Sequence, residues 1–217
     1  MSRAVLTVSH DPATVESQLA RRELRCPGCS GSLKPWGSGR GRTIRCRVPA
    51  AKRRLVPRRA RCRDCGATHI LLPVLFTARR ADDASVIAHA VERSVVHGAG
   101  HRRIAAELDR PATTVRGWIR DFRANAPVIL AEFTARVHRA TAEALGFWPA
   151  PAAATVADAL GMLIAHARVL AHQGTRSGTV VNVAWQHAAL AGHGPWFFST
   201  SRWPTGVQHQ FALPPGQ

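Results

Sequence analysis

Two Cys-x-x-Cys pairs inside a strongly basic stretch, a helix-periodic segment from Asp82 to Arg123, and further amphipathic segments beyond Pro127 predict a mainly α protein with a small β ribbon. The chain divides accordingly into an N-terminal extension (1–22), a four-cysteine ribbon (23–76), a three-helix unit (82–125) and a helical region ending in an aromatic tail (127–217). At 217 residues, 46% hydrophobic and 20% charged, it suits one large domain or a few small ones and leaves no room for a large multidomain enzyme. It contains no tyrosine, which excludes mechanisms in which a tyrosine hydroxyl attacks a phosphodiester.

The first residues, MSRAVLTVSHDPATVESQL, lack a basic segment followed by a long apolar run, so no secretory signal is expected. The most apolar later window, 155–173, is interrupted by Asp158, Gly161, His166, Arg168 and His172, and no membrane span is expected either. These features predict a cytoplasmic, nucleoid-associated protein whose cysteines stay reduced, which favours metal over disulfide.

Cys26-Pro-Gly-Cys29 and Cys62-Arg-Asp-Cys65 carry the strongest signal. A two-residue gap lets one tight turn present both thiolates to a single ion about 2.3 Å away, and two such turns complete a tetrahedron. Four thiolates leave no open coordination position, so a structural zinc ion in a zinc ribbon is expected rather than a catalytic one. A ribbon of this size buries too little apolar surface to fold alone, and zinc binding can add roughly 10 to 16 kcal/mol of apparent free energy. Cys46 is read either as a buried thiol or as a substitute ligand, and His69 either as a strand histidine or as a ligand.

Between and after the cysteine pairs, residues 33–36, 43–48, 54–62 and 68–76 read as strands, with a turn at 37–41. Residues 21–80 hold fifteen arginines and two lysines against only Glu23 and Asp64, and so carry almost all of the net charge of +17. Charge concentrated in this way points to a polyanion, with Arg40, Arg42, Arg45, Arg58 and Arg59 as candidate phosphate contacts.

From Asp82 the apolar period becomes helical. Asp82 and Asp83 offer an N-cap for a helix carrying Val86, Ile87, Ala90, Val91, Ser94 and Val95 inward, ended by His97-Gly-Ala-Gly100. Residues 101–108 form a second helix with Ile104, Ala105 and Leu108 inward, and Asp109-Arg110-Pro111 turns the chain. The third helix, 112–123, packs through Val115, Trp118, Ile119 and Phe122 and exposes Thr113, Thr114, Arg116, Gly117 and Arg120.

Through Ile104, Ala105, Leu108, Thr114, Val115 and Trp118, this segment resembles the helix-turn-helix of DNA-invertase, resolvase and transposase N-terminal domains. Asp109 stands where the turn glycine of that pattern usually occurs, a substitution that aspartate tolerates better than most residues at positive φ. With the two cysteine knuckles, residues 23–125 resemble bacterial zinc-ribbon plus helix-turn-helix proteins related to insertion-sequence transposases. The resemblance implies sequence-directed binding of double-stranded DNA. It places the N-terminal end of the third helix, with Thr113, Thr114, Arg116 and Gly117, at base edges, Arg116 foremost, and Arg120 and Arg123 nearer the phosphates, with Arg102 and Arg103 as further DNA-binding candidates.

Residues 127–145 predict an amphipathic helix opening at Pro127, 147–154 a linker, 155–173 a second helix, and 179–191 a third. They could bury their stripes against one another, in a homodimer, or against a catalytic transposition partner. The tail, with Trp196, Phe197, Phe198, Trp203 and Phe211, either packs across these helices or docks a partner protein. Beyond residue 123 only Glu132, Glu143 and Asp158 are acidic, all on predicted helices, so no two-metal nuclease site is expected and the chain reads as a non-enzyme. The sequence therefore predicts a mobile-element-associated or transposase-derived DNA-recognition subunit, with a transcriptional regulator as the alternative.

Overall fold

A computed structural model of the chain describes residues 4–47, 51–141, 144–176 and 183–199. The chain divides into two compact units, one of Met1–Asp83 with Leu190–Phe211 and one of Ala84–Ala189 with Ala212–Gln217. No helix among the described residues is long and apolar enough to cross a membrane.

The first unit opens with β1 (Val5–Val8) and α1 (Pro12–Ala20). The Asp11 side chain caps α1 by accepting from the Ala13 and Thr14 amides and from the Thr14 hydroxyl, bonds that lower its pKa. There follow β2 (Leu33–Ser38), β3 (Arg42–Cys46), β4 (Ala51–Leu55), β5 (Arg58–Cys62) and β6 (Thr68–Pro73). Four strands form one sheet in the order β1-β6-β5-β2, while β3 and β4 make a separate two-stranded hairpin. The sheet is antiparallel except at β1, which runs parallel to β6 with Val5 opposite Ile70.

This pairing corrects the reading of residues 1–22 as an extension. Leu6, Val8, Val15 and Leu19 are buried in one core with Leu33, Ala60, Leu71 and two of the cysteines, so the amino terminus is integral to the ribbon's fold. The segment 54–62, read as a single strand, is two. The chain leaves β4 at Leu55, passes through Val56-Pro57, and pairs as β5 with β2 and β6. The hairpin packs Ile44, Cys46 and Leu55 onto Leu72 and Phe76. Cys46 is thus a core thiol, its pKa raised chiefly by burial.

Phe197 and Phe198 are buried, and their segment lies against residues 77–80, with the Phe197 ring also edge-on to that of His193. Thr77 Oγ1 donates to the Pro195 carbonyl, Arg80 Nε to the Phe198 carbonyl, and the Arg79 guanidinium lies 5.6 Å from the Trp196 ring centre. Trp203 and Phe211 fall outside the described residues.

The second unit contains α2 (Ala84–Val95), α3 (His101–Leu108), α4 (Ala112–Ala140), a 3-10 turn (Ala144–Phe147), α5 (Thr155–Arg176) and the start of α6 (Trp185–His193). The inward residues expected of α2, α3 and the first half of α4 are buried, apart from half-buried Val95 and Leu108. The Asp82 carboxylate, expected as an N-cap, accepts from Arg45 Nη2 at 2.7 Å. Asp109 takes φ 51°, ψ 56°, closing α3 in the left-handed conformation its residue type tolerates.

Two helices expected at 112–123 and 127–145 are one. Pro127 lies inside α4, where it cannot donate to the Arg123 carbonyl. The helix continues because Ile119, Phe122, Ala126, Ile129, Phe133 and Val137 form one unbroken buried stripe, and Pro127 itself faces solvent. The second half of α4 packs along α5, so the stripe of α5 (Leu160, Leu163, Ala167) is used within the chain. The predicted helix at 179–191 begins only at Trp185, residues 177–182 lying outside the described residues.

Candidate functional site

The four paired cysteines converge. Each knuckle is a short turn closed by an amide-to-carbonyl bond five residues ahead, Cys26 N–H to Gly31 O and Cys62 N–H to Ala67 O, both 2.8 Å. The residue after the second cysteine is left-handed in both, Ser30 at φ 59° and Gly66 at φ 71°. That conformation suits glycine and costs serine some strain. In the second knuckle it accompanies Asp64 and Cys65 amides that donate to Cys62 Sγ, and in the first the Gly28 and Cys29 amides donate to Cys26 Sγ.

Cys29 Sγ lies 3.5 Å from Cys62 Sγ, and Cys26 Sγ lies 3.7 Å from Cys65 Sγ. All four sulfurs fall within 4.8 Å of one another. A tetrahedral ion with metal–sulfur bonds of about 2.3 Å would set its ligands about 3.8 Å apart, so the donor set fits such an ion. The same separations are far too long for disulfides, whose sulfurs are bonded at about 2.05 Å. Burial raises the Cys26 thiol pKa; it acts the same way on Cys62, but amide donation and neighbouring thiols outweigh it and bring that group to about 7. A thiol near 7 loses its proton readily to a metal at neutral pH. These four cysteines could hold a metal ion.

Two further residues complete the centre. His69 is buried with Nε2 3.4 Å from Cys26 Sγ, within hydrogen-bonding distance, and it stands outside the group of four. Gly31 was not singled out from the sequence. A Cβ there would collide with the Asp64 carboxylate and lie 2.9 Å from Cys62 Sγ, so only glycine lets the first knuckle close over the second.

The arginines expected at phosphates separate into two classes. Arg42 Nη2 donates to the Thr77 carbonyl, Arg45 pairs with Asp82, and Arg58 forms a two-pronged pair with Glu16 and also donates to the Gly37 carbonyl. These three take part in bonds within the fold. Arg40 is exposed and Arg59 half-buried on β5. The sequence did not single out Arg47, Lys52, Arg53 and Arg54, yet these exposed cations follow one another along the β3–β4 hairpin without a side-chain partner among the described residues. Their signal was the bare run Lys-Arg-Arg, but nothing in the sequence distinguished it from the arginines flanking it.

On the helical unit, Arg116, Arg120 and Arg123 line one open groove of about 640 Å³ together with Ser94, Gly100 and His101. Arg123 donates to Ser94 Oγ, Arg120 pairs with Asp121 and Arg103 with Glu107, whereas exposed Arg116 and Arg102 have no partner among the described residues. Thr113 is exposed and Thr114 half-buried at the start of α4. Gly117 lies mid-helix, and a Cβ added there would meet nothing within 4 Å.

Residues 26–118 are similar to a family described as a domain of unknown function (DUF6431), a match that runs from Cys26 to Trp118 of α4 and covers under half of the chain. No curated protein and no solved structure matches the chain.

Proposed function

We propose that this protein binds double-stranded DNA in a sequence-directed manner, with a structural zinc ion holding the four-cysteine centre. The observation that carries this reading is a run of exposed cations without a side-chain partner among the described residues, Arg47, Lys52, Arg53 and Arg54 on one hairpin, together with exposed Arg116 on the first turns of α4. Cations held out in water without acidic partners are the usual footprint of a polyanion.

Gly117 supports the role of α4. A glycine inside a helix costs about 1 kcal/mol relative to alanine, and nothing among the described residues needs the space it leaves. An external surface approaching the helix at Arg116 would need it. In this reading Arg116 contacts base edges in the major groove, while Arg120, Arg123 and the hairpin meet phosphates, with Arg102 beside them. The α3–turn–α4 segment acts as the helix-turn-helix.

Binding rather than catalysis is favoured by the disposition of the carboxylates. Glu132 is paired with Arg136 and Asp158 accepts from the Ala152 amide, while Glu143 lies outside the described residues. Four thiolates close the coordination sphere of the zinc. A role in transposition, with a homodimer or a catalytic partner engaged through the C-terminal helices, rests on the resemblance of residues 23–125.

Sites selected from random duplexes by the zinc-loaded protein should converge on a motif. On that motif Arg116→Ala is expected to cost about 1 to 3 kcal/mol while leaving random duplex unaffected. Substituting Lys52, Arg53 and Arg54 together by Gln should weaken both, and lower the slope of log K against log salt by about 0.9 for each phosphate no longer neutralised. Selection that yields no motif, or equal losses for Arg116→Ala on both DNAs, would overturn the assignment of base reading to α4.

A further inference from the structure

We infer that the sheet face around Trp36 is a second nucleic-acid site, a stacking platform for an unpaired base of single-stranded DNA. Trp36, on β2, keeps 42% of its surface in solvent although it belongs to a unit with an apolar core. Its ring is not loose: the Arg61 guanidinium lies over it, 4.7 Å from the ring centre, and is itself held by donating Nε–H to the Gly66 carbonyl at 3.2 Å. An exposed indole fixed in orientation has lost its rotamer freedom before any ligand arrives, which lowers the entropy cost of stacking.

The strand register places cations around the ring. Lys34 stands opposite Arg61, and Arg59 precedes Arg61 by two residues, on the same side of β5. Of the acids in this unit, Asp11 caps α1, Glu16 holds Arg58, Glu23 holds Arg21 and Asp82 holds Arg45, and neither these nor Asp64 and Asp83 form an ion pair with Lys34, Arg59 or Arg61 among the described residues. A π surface flanked by cations is what a base and its adjacent phosphates require, and stacking serves any base because each has a π face.

Duplex DNA presents only base edges and sugar-phosphate to a protein surface. The Trp36 ring can therefore be covered by a base only where the strand is unpaired. This site does not depend on the duplex reading above, which rests on the hairpin and on α4.

The test uses the full-length zinc-loaded protein and a 3′-labelled dT12, compared with a fully paired duplex of two complementary strands, by fluorescence anisotropy. Trp36→Leu, which keeps an apolar group but no ring, is expected to weaken dT12 about tenfold or more. Trp36→Phe should retain most of the binding, and neither variant should change duplex affinity or zinc content. Arg116→Ala should leave dT12 unaffected. An oligonucleotide carrying 5-iodouracil should cross-link to Trp36 in the unmodified protein, and repetition with U12 shows whether RNA or DNA is the better source of the base. Failure of the wild type to bind either oligonucleotide, equal behaviour of the Leu and Phe variants, or cross-links confined to the β3–β4 hairpin would overturn the proposal.

Discussion

His166 on α5 shows how burial sets the behaviour of a single residue. It is 6% exposed, its ring lies 5.3 Å from that of Phe133 in an edge-to-face arrangement, and its Nδ1 has no hydrogen-bond partner among the described residues. Burial, aided by the nearby Arg136 charge, lowers its pKa from 6.5 to about 4. The unfolded chain therefore takes up a proton between pH 6.5 and 4 that the folded chain refuses, and acid favours unfolding across that window. The stabilisation is complete above about pH 6.5 and is lost as the pH falls towards 4. A shift of this size corresponds to about 3 kcal/mol. Denaturant unfolding at pH 7 and at about pH 4.5 should show a smaller acid-induced loss for His166→Leu than for the wild type, by about that amount. Identical losses would mean that His166 is protonated in the folded protein.

Single residues were legible where their chemistry is local. Asp109 could be assigned a left-handed turn because aspartate is one of the few side chains suited to it, and the φ of 51° agrees. The cysteines could be grouped because two-residue spacing has one dominant use. The special place of Gly31 was not legible, because the atoms that forbid a Cβ there belong to Cys62 and Asp64, far along the chain.

Among the elements, α4 best illustrates a local rule overruled by packing. Proline inside a helix costs about 3 kcal/mol, and the rule that it starts or stops helices placed a boundary at Pro127. Six buried apolar residues on one stripe, from Ile119 to Val137, outweigh that cost at roughly 1.5 to 3 kcal/mol for each large side chain. Pro127→Ala would restore the bond to the Arg123 carbonyl at an exposed position. The gain, less about 1 kcal/mol of lost restriction on the unfolded chain, should be about 1 to 2 kcal/mol. Calorimetry would register this as a higher melting temperature, and a lower one would mean that the proline-induced geometry is itself required for packing on α5. The division of residues 54–62 into β4 and β5 has a similar origin. The chain changes pairing partner at Pro57, whose carbonyl accepts from Gly39, and a change of partner leaves no mark on the alternation of side chains.

At the scale of the molecule, the four-cysteine centre and the sheet share one core. Cys26 and Cys62 are buried beside Leu6, Val15, Leu19, Leu33 and Leu71. If the centre holds the proposed zinc, its removal would leave the thiols confined and unsatisfied beneath strands that the amino-terminal residues also help to bury. Chelation by a strong zinc ligand, or Cys62→Ser, is expected to abolish hydrogen-exchange protection in β5 and β6 and also in β1 and α1. Protection surviving in β1 and α1 while β5 and β6 open would show that the amino-terminal elements are stabilised independently of the centre.

What the sequence determined by itself was local: the four-cysteine set, the helical periods of α2, α3 and α4, the turn at Asp109, and the basic stretch over residues 21–80. Each of these is written in spacing or period over a few residues. Tertiary structure decided which of the arginines are available. Arg42, Arg45 and Arg58 are taken up by Thr77, Asp82 and Glu16, which lie 35, 37 and 42 residues away, while Arg53, Arg54 and Arg116 are left in water. It also decided that residues 5–8 complete a sheet by pairing with β6 in parallel. Such pairings follow from sheet register and long-range packing, and a charge or a short apolar run carries no record of the partner that the fold will bring to it.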